Sequence, residues 1–210
     1  MTVQGPDCTG LVVAGGRSTR FGDSEKALAE VDGEPMLRRV VTALGSVTDE
    51  VVVNCRTDQQ AAFAAALDEV ETAVRFALDD EPDGGPLSGL LTGLSAVDTE
   101  FAVVLGCDMP LVDADTLAAL TERARATAAG AVVPTTEGGP EPLHAVYRVP
   151  PTREAARATL DDGRHSLHAL LEGLTVEDVS VGAGTVPPRS VTSIDTRARL
   201  RKVRAEIESR

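Results

Sequence analysis

The sequence predicts an α/β protein, with a mostly parallel sheet between two layers of helices. Three observations point there. Short apolar, β-branched runs alternate with Ala/Leu-rich amphipathic segments along the 210 residues. The strand-like runs are hydrophobic almost throughout, as strands covered on both faces must be. Alternation of this kind yields parallel strands joined by helical crossovers. The expected architecture is a single-domain, Rossmann-like α/β/α sandwich of three layers.

Taken in order, strands are expected at 10–14, 51–54, 73–77, 102–106 and 131–133, with a later one at 143–147. Helical patterns run near 35–45, 58–68, 87–96 and 113–128. Pro35 suits a first helical residue and Gly45 a stop. Leu117, Leu120 and Ala124 recur at helical spacing behind Asp113, which is placed to cap the start. Residues 182–190 (GAGTVPPRS) read as a loop before a last strand and a C-terminal helix over 196–209. The mixed charges of that helix suit a solvated face.

Composition narrows the function. A hydrophobic fraction of 42% fills a core, and the net charge of -13 disfavours nucleic acid as a partner. Of 20 basic residues only Lys26 and Lys202 are lysines, a balance suited to a salt-rich cytoplasm, with an ordinary acidic surface as the plainer alternative. Cys8, Cys55 and Cys107 are too few and too scattered for a disulfide framework or a structural zinc site. Cys107 reads as a buried, inert thiol. No apolar run suits a membrane span and no charged-then-apolar leader is present, so a soluble cytoplasmic protein is expected.

Residues 11–28, LVVAGGRSTRFGDSEKAL, carry the chemistry. The glycines follow the first strand, where open α/β sheets bind ligands. The spacing Gly15-Gly16-x5-Gly22 is not G-x-G-x-x-G, and no G-K-[ST] follows, so a dinucleotide fingerprint and a P-loop are both excluded. A glycine turn remains, its backbone N–H groups free to face an anion, flanked by Arg17, Arg20 and Lys26. A basic surface loop is the bland alternative. The lysine kept here by a chain that avoids lysine favours phosphate contact. Asp108 ends the strand 102–106 and precedes Pro110. It suits either an Asx turn or cap, or a metal ligand.

The run A-G-G-x-S-x-R-F-G-x-x-K-A-L resembles the signature loop of the GT-A-like nucleotidyltransferases, and within them the molybdenum cofactor guanylyltransferases of the MobA family. Further motifs follow in order through nearly the whole chain. Gly33-Glu34-Pro35-Met36-Leu37 matches G-x-P-[LM]-L, and Asn54 ends a V-V-V-N strand. Asp79 or Asp80 before Gly85-Pro86-Leu87-Ser88-Gly89 resembles D…G-P-L-[AS]-G. Gly106-Cys107-Asp108-Met109-Pro110 matches C-D-x-P, and Glu141–Tyr147 is similar to a later family strand. One departure stands out: the family's N-x-N-T-P is here Ser193-Ile194-Asp195-Thr196 with no proline.

The resemblance implies a single nucleotidyltransferase domain over 1–210, its nucleotide-binding half about 8–112 and its acceptor-binding half about 113–210. It implies Mg²⁺-dependent transfer of GMP from GTP to the phosphate of molybdopterin, with release of pyrophosphate. Lys26 and Arg20 would contact phosphates, and backbone at Val13, Ala14, Gly15 and Gly16 would face the nucleotide. Asn54 and Asp79 would meet guanine or ribose, beside Gly85, Pro86 and Leu87. Asp108 would hold the metal. Asp195 is either a second carboxylate or part of a helix cap. Arg164 is a candidate contact to the pterin, whereas His144, His165 and His168 read as surface or satisfied histidines. Transient contact with other cofactor-biosynthesis proteins or apo-molybdoenzymes would follow, with no role for nucleic acid or membrane. Two alternatives stay open. One is a nucleotidyltransferase for another phosphorylated acceptor, by cytidylyl or guanylyl transfer. The other is a nucleotide-binding regulator without turnover.

Overall fold

The computed structural model describes residues 7–16, 21, 25–79, 84–182 and 184–208. The first half runs β1 (Cys8–Val13), β2 (Glu30–Val31), β3 (Glu34–Pro35), α1 (Met36–Gly45), β4 (Glu50–Cys55), α2 (Gln60–Ala66), β5 (Ala73–Leu78), α3 (Gly85–Ser95) and β6 (Phe101–Gly106). The second half holds α4 (Ala114–Ala126), β7 (Ala131–Thr136), β8 (Gly139–Pro140), β9 (His144–Arg148), α5 (Val149–Asp161), α6 (Leu167–Glu172), β10 (Val176–Ser180) and α7 (Arg197–Glu208).

The main sheet has the order β10-β7-β9-β6-β1-β4-β5, with β8 added on β7. Strands β5, β4, β1 and β6 are mutually parallel. β9 runs antiparallel between β6 and β7, an exception in a sheet that is mostly parallel as expected, β7 and β10 included. No crossover helix separates β7 from β9, only the short turn carrying β8, so β9 must reverse. The sequence moves outward from β1 to β4 and β5, then returns through α3 to β6 on the other side of β1. That reversal opens a crevice at the carboxyl ends of β1 and β6, where doubly wound sheets take ligands.

Alternation along each central strand divides the core into two layers. Val12, Val51, Val53, Val103 and Leu105 pack with α1, α2 and α4 through Leu37, Val41, Phe63, Leu117 and Leu120. Leu11, Val52, Ala102 and Val104 pack with α3, α5 and α6 through Leu90, Leu94, Ala156 and Leu170. Helix α3 lies close against the sheet because it presents glycines four residues apart. A Cβ at Gly89 would sit 2.6 Å from Asn54 Oδ1, and one at Gly93 would sit 2.4 Å from Leu11 Cδ1. Surface ion pairs such as Arg38–Glu69 and Arg75–Glu50 add about 0–1 kcal/mol each; the two buried layers hold the fold.

A smaller third core lies beside the sheet. Phe21, Val31 and Met36 pack against Ile194 and, from α7, Leu200 and Val203. The β2–β3 hairpin enters it through a turn at Asp32 and Gly33, both with positive φ, 55° and 75°, the geometry an Asp-Gly pair is suited to. Arg204 of α7 donates to the Glu30 carbonyl, at 2.6 and 3.0 Å.

Several sequence expectations need revising. Pro35 closes β3 in an extended conformation and stands just before α1 rather than inside it. The strand expected after residue 190 is absent. The last strand, β10, precedes that loop, and Ile194 instead donates its N–H to the Asp108 carbonyl at 2.8 Å. Asp113 does cap α4, accepting from the Thr116 N–H at 3.0 Å.

Candidate active site

Strand register lines up the carboxyl ends. Ala77 pairs with Asn54, Asn54 with Val13, and Val13 with Gly106, a row spanning about 14 Å at the usual strand spacing. A cavity of about 350 Å³ opens over this row on the α3 side. Val13, Ala14, Gly15, Gly16, Lys26, Asn54, Asp79, Gly85, Pro86 and Asp108, all named from the sequence, line it. Leu87 does not. It is fully buried in the core with Leu90 and Leu94, because its place in the first turn of α3 faces the sheet. Arg17, Arg20, Gly22 and Asp80 lie outside the described residues.

At one end of the row the polar groups are fixed. The Asn54 side-chain amide donates to Asp79 Oδ1 at 2.6 Å and to the Ala77 carbonyl at 3.3 Å. Asn54 Oδ1 is buried without a hydrogen-bond partner among the described residues, a costly arrangement unless a ligand donor completes it. The Asp79 carboxylate lies over Gly15, where a Cβ would fall 2.3 Å from Oδ2. Glycine is thus required at 15 by close approach.

At the other end the charges converge. Lys26 Nζ donates to Asp108 Oδ2 at 2.6 Å and to Asp195 Oδ1 at 3.3 Å. Asp108 folds back over Gly106, whose Cβ would meet Oδ1 at 2.7 Å. Asp195 is held by the loop that Ile194 anchors in the third core. Thr196, not Asp195, caps α7, accepting from the Arg199 N–H at 3.1 Å, which leaves the Asp195 carboxylate for Lys26. Burial holds the Asp108 carboxyl above its ordinary value despite the pull of Lys26. For Asp195, burial is outweighed by Lys26 and by a hydrogen bond with Asp108, and its carboxyl is held below the ordinary value. Burial opposes the charge on Lys26, but the two carboxylates prevail and raise it. Two carboxylates around one ammonium carry a net charge of about −1, a local field that favours a divalent cation.

The remaining candidates play no part in this convergence of charges. Cys107 lines the cavity, but burial pushes its thiol up to about 12, so it stays protonated and is no nucleophile. Arg164 pairs with Glu172 at 2.6 Å on the surface. His144 is fully buried with both ring nitrogens unpartnered, contrary to the reading of a surface or satisfied histidine. It lies near Asp113 and Ser190, and burial lowers its pKa to about 4. Because the folded value lies below the unfolded one of about 6.5, the unfolded chain takes up a proton that the folded chain refuses. Stability should therefore be full above pH 6.5 and decline towards pH 4, by at most about 3 kcal/mol from this group. Urea unfolding at pH 7 and pH 4 should show that loss in the wild type and a smaller one in His144→Leu. Equal losses in the two would remove His144 as the cause.

Three residues at the site went unnoticed in the sequence: Glu25, Arg56 and Gln59. Arg56 donates to the carbonyls of Gly15 and Gly16 at 2.9 and 3.2 Å. Gln59 reaches the Ala14 carbonyl at 3.5 Å. The only sequence signal was a polar stretch, C-R-T-D-Q, directly after a buried strand at the same sheet edge as the glycines.

A crevice lined by Gly15 and Gly16, with a lysine and two carboxylates at one end and the Asn54–Asp79 pair at the other, carries the kinds of group that suit a phosphorylated ligand, as in enzymes that move nucleotidyl groups. The comparisons with known proteins agree. The chain belongs to the MobA-like NTP transferase domain family, whose model matches residues 10–178. A probable molybdenum cofactor guanylyltransferase of Natronomonas pharaonis is 43% identical, covering 95% of this chain and 98% of that protein. A molybdenum cofactor guanylyltransferase of Pseudomonas putida is 36% identical over 79% of this chain and 83% of that protein. The crystal structure of molybdopterin-guanine dinucleotide biosynthesis protein A from Archaeoglobus fulgidus superposes with a TM-score of 0.76. It is 20% identical and covers 97% of this chain and all of that one. The mixed, mostly parallel fold is that of these transferases. Among the described residues no helix is long and apolar enough to cross a membrane.

Proposed function

We propose that this chain transfers GMP from GTP to the terminal phosphate of molybdopterin and releases pyrophosphate, forming the guanine dinucleotide cofactor in the cytoplasm. The observation that carries the reading is the convergence of Lys26 on Asp108 and Asp195 beside the Gly15–Gly16 turn. The attacking group is a phosphate monoester whose second pKa is about 6. It is already ionised at neutral pH, so no general base is needed. What the chain must supply is alignment and charge neutralisation.

Asp108 and Asp195 are hard oxygen donors, of the kind that hold Mg²⁺ together with phosphate oxygens and water, and the donor set fits that ion. Bound there, Mg²⁺ would offset negative charge on the α-phosphate and the departing pyrophosphate. Lys26 binds the phosphates, Gly15 and Gly16 present their N–H groups to them, and Arg20 assists from the same loop. Asn54 and Asp79 hold the guanine or ribose, the unpartnered Oδ1 of Asn54 accepting from it. An array of this rigidity rejects a base with mismatched donors, because buried groups are left unpaired.

Pyrophosphate release should be measured from GTP, CTP and ATP with Mg²⁺, with and without molybdopterin. Release with GTP that requires molybdopterin is the expected result. Release with CTP alone would move the base assignment, and no release with any nucleotide and acceptor would leave a binding protein without turnover.

A further inference from the structure

We infer that Arg56, with Gln59 and Glu25, is a positioning device that turns the backbone of residues 14–16 so that its N–H groups face a bound polyphosphate. The inference rests on the nucleotide reading of the cavity and adds residues that the reading leaves without a role.

The geometry is specific. The Arg56 guanidinium donates through Nη1 to the carbonyls of Gly15 and Gly16. Through Nη2 it donates to Glu25 Oε1 at 3.1 Å, and through Nε to Asp58 Oδ1 at 3.0 Å. Gln59 donates to the Ala14 carbonyl and to Glu25 Oε2 at 2.8 Å, and accepts from the Arg56 N–H at 2.9 Å. Three successive carbonyls are therefore drawn to one side, by the side chains of two residues that are 8% and 2% exposed. In a trans peptide the N–H points opposite to the carbonyl before it, and none of the described peptide bonds is cis. Holding the Ala14 and Gly15 carbonyls thus turns the N–H groups of Gly15 and Gly16 away from Arg56. Gly15 and Gly16 line the cavity and Arg56 does not.

Two consequences set Arg56 apart from a phosphate ligand. Its donors are engaged on the far side of the turn, with its charge offset by Glu25 and Asp58. It also holds Glu25, the residue before Lys26, so that one guanidinium joins the Gly15–Gly16 turn to the neighbour of Lys26 and offsets a carboxylate there. A planar fork is needed to span these acceptors, and lysine cannot supply one.

The test compares binding of GTP, guanosine and inorganic tripolyphosphate to the wild type, Arg56→Gln, Arg56→Lys and Gln59→Ala, with melting temperatures alongside. Arg56→Gln should weaken GTP and tripolyphosphate about 10- to 100-fold while guanosine affinity changes less than twofold. Arg56→Lys should recover little of this, and Gln59→Ala should show the same phosphate-selective pattern at about 3- to 10-fold. If Arg56→Gln does not fold, Gln59→Ala carries the test alone. The inference is overturned if the folded variants bind tripolyphosphate like the wild type, if guanosine and GTP weaken equally, or if Arg56→Lys restores full affinity. A wild type that binds tripolyphosphate but neither GTP nor guanosine refutes the nucleotide reading and leaves the positioning device standing. A wild type that binds no polyphosphate overturns both.

Discussion

Asp108→Asn should reduce transfer by about three orders of magnitude while leaving the fold intact. The substitution keeps the bulk over Gly106 and removes only the charge. A bound cation is worth several kcal/mol of transition-state stabilisation, and about 4 kcal/mol corresponds to that loss in rate. Asp195 remains, half exposed and 3.3 Å from Lys26, but a single carboxylate on an anchored loop is a poor substitute for one at a strand end. Pyrophosphate release at saturating substrates, with calorimetric titration of Mg²⁺ or Mn²⁺, reads both effects. Rates and cation affinity like those of the wild type would exclude Asp108 as the ligand.

Lys26→Ala should have a comparable effect on transfer and an additional one on stability. A lysine bound to phosphate in both ground and transition states raises KM when removed, and one that tightens in the transition state lowers kcat. Both should change, with kcat/KM falling about 100-fold or more. The fold is affected too, because Asp108 and Asp195 lose the ammonium between them. Removing one partner of a buried pair costs about 3–5 kcal/mol; at 16% exposure for Asp108 and 51% for Asp195, solvent reduces this to about 1–3 kcal/mol. Mg²⁺ should restore much of that loss in the variant and stabilise the wild type less, because there the lysine already offsets one of the two carboxylate charges. Thermal unfolding in chelator and in Mg²⁺ gives the comparison, and a variant as stable as the wild type in chelator would show that the three groups do not interact.

The central strands were legible because both faces are buried. Runs such as Leu11–Val13 and Val103–Leu105 need no polar partner, and apolar continuity marks them. β10 was missed because it is an edge strand, V-E-D-V-S, with Val179 its buried residue. Helix α5 was not anticipated; Pro150 and Pro151 occupy its first turn, where proline is tolerated. At the site, Lys26 and Asp108 were legible from motif and position. Asp195 was ambiguous because Thr196 beside it is as good a cap, and only the fold shows which of the two faces Lys26. Arg56 carries no local mark beyond its polar stretch, since what it does depends on the carbonyls of a turn 40 residues earlier.

Lys26 and Asp195 meet across 169 positions of chain, and this has a consequence for how the protein is made. At synthesis rates of roughly 5–20 residues per second, about 10–30 s separate the two side chains on the ribosome. Asp108 follows Lys26 by 82 positions, so for about the second half of that interval the sheet edge carries its glycine turn and Asp108 but not the second carboxylate. Val31 and Met36 also wait for Ile194 and α7 to cover them. A chain interrupted there would display an apolar surface to the chaperones and proteases that triage unfinished proteins, so the step that completes the site is also the one that hides that surface.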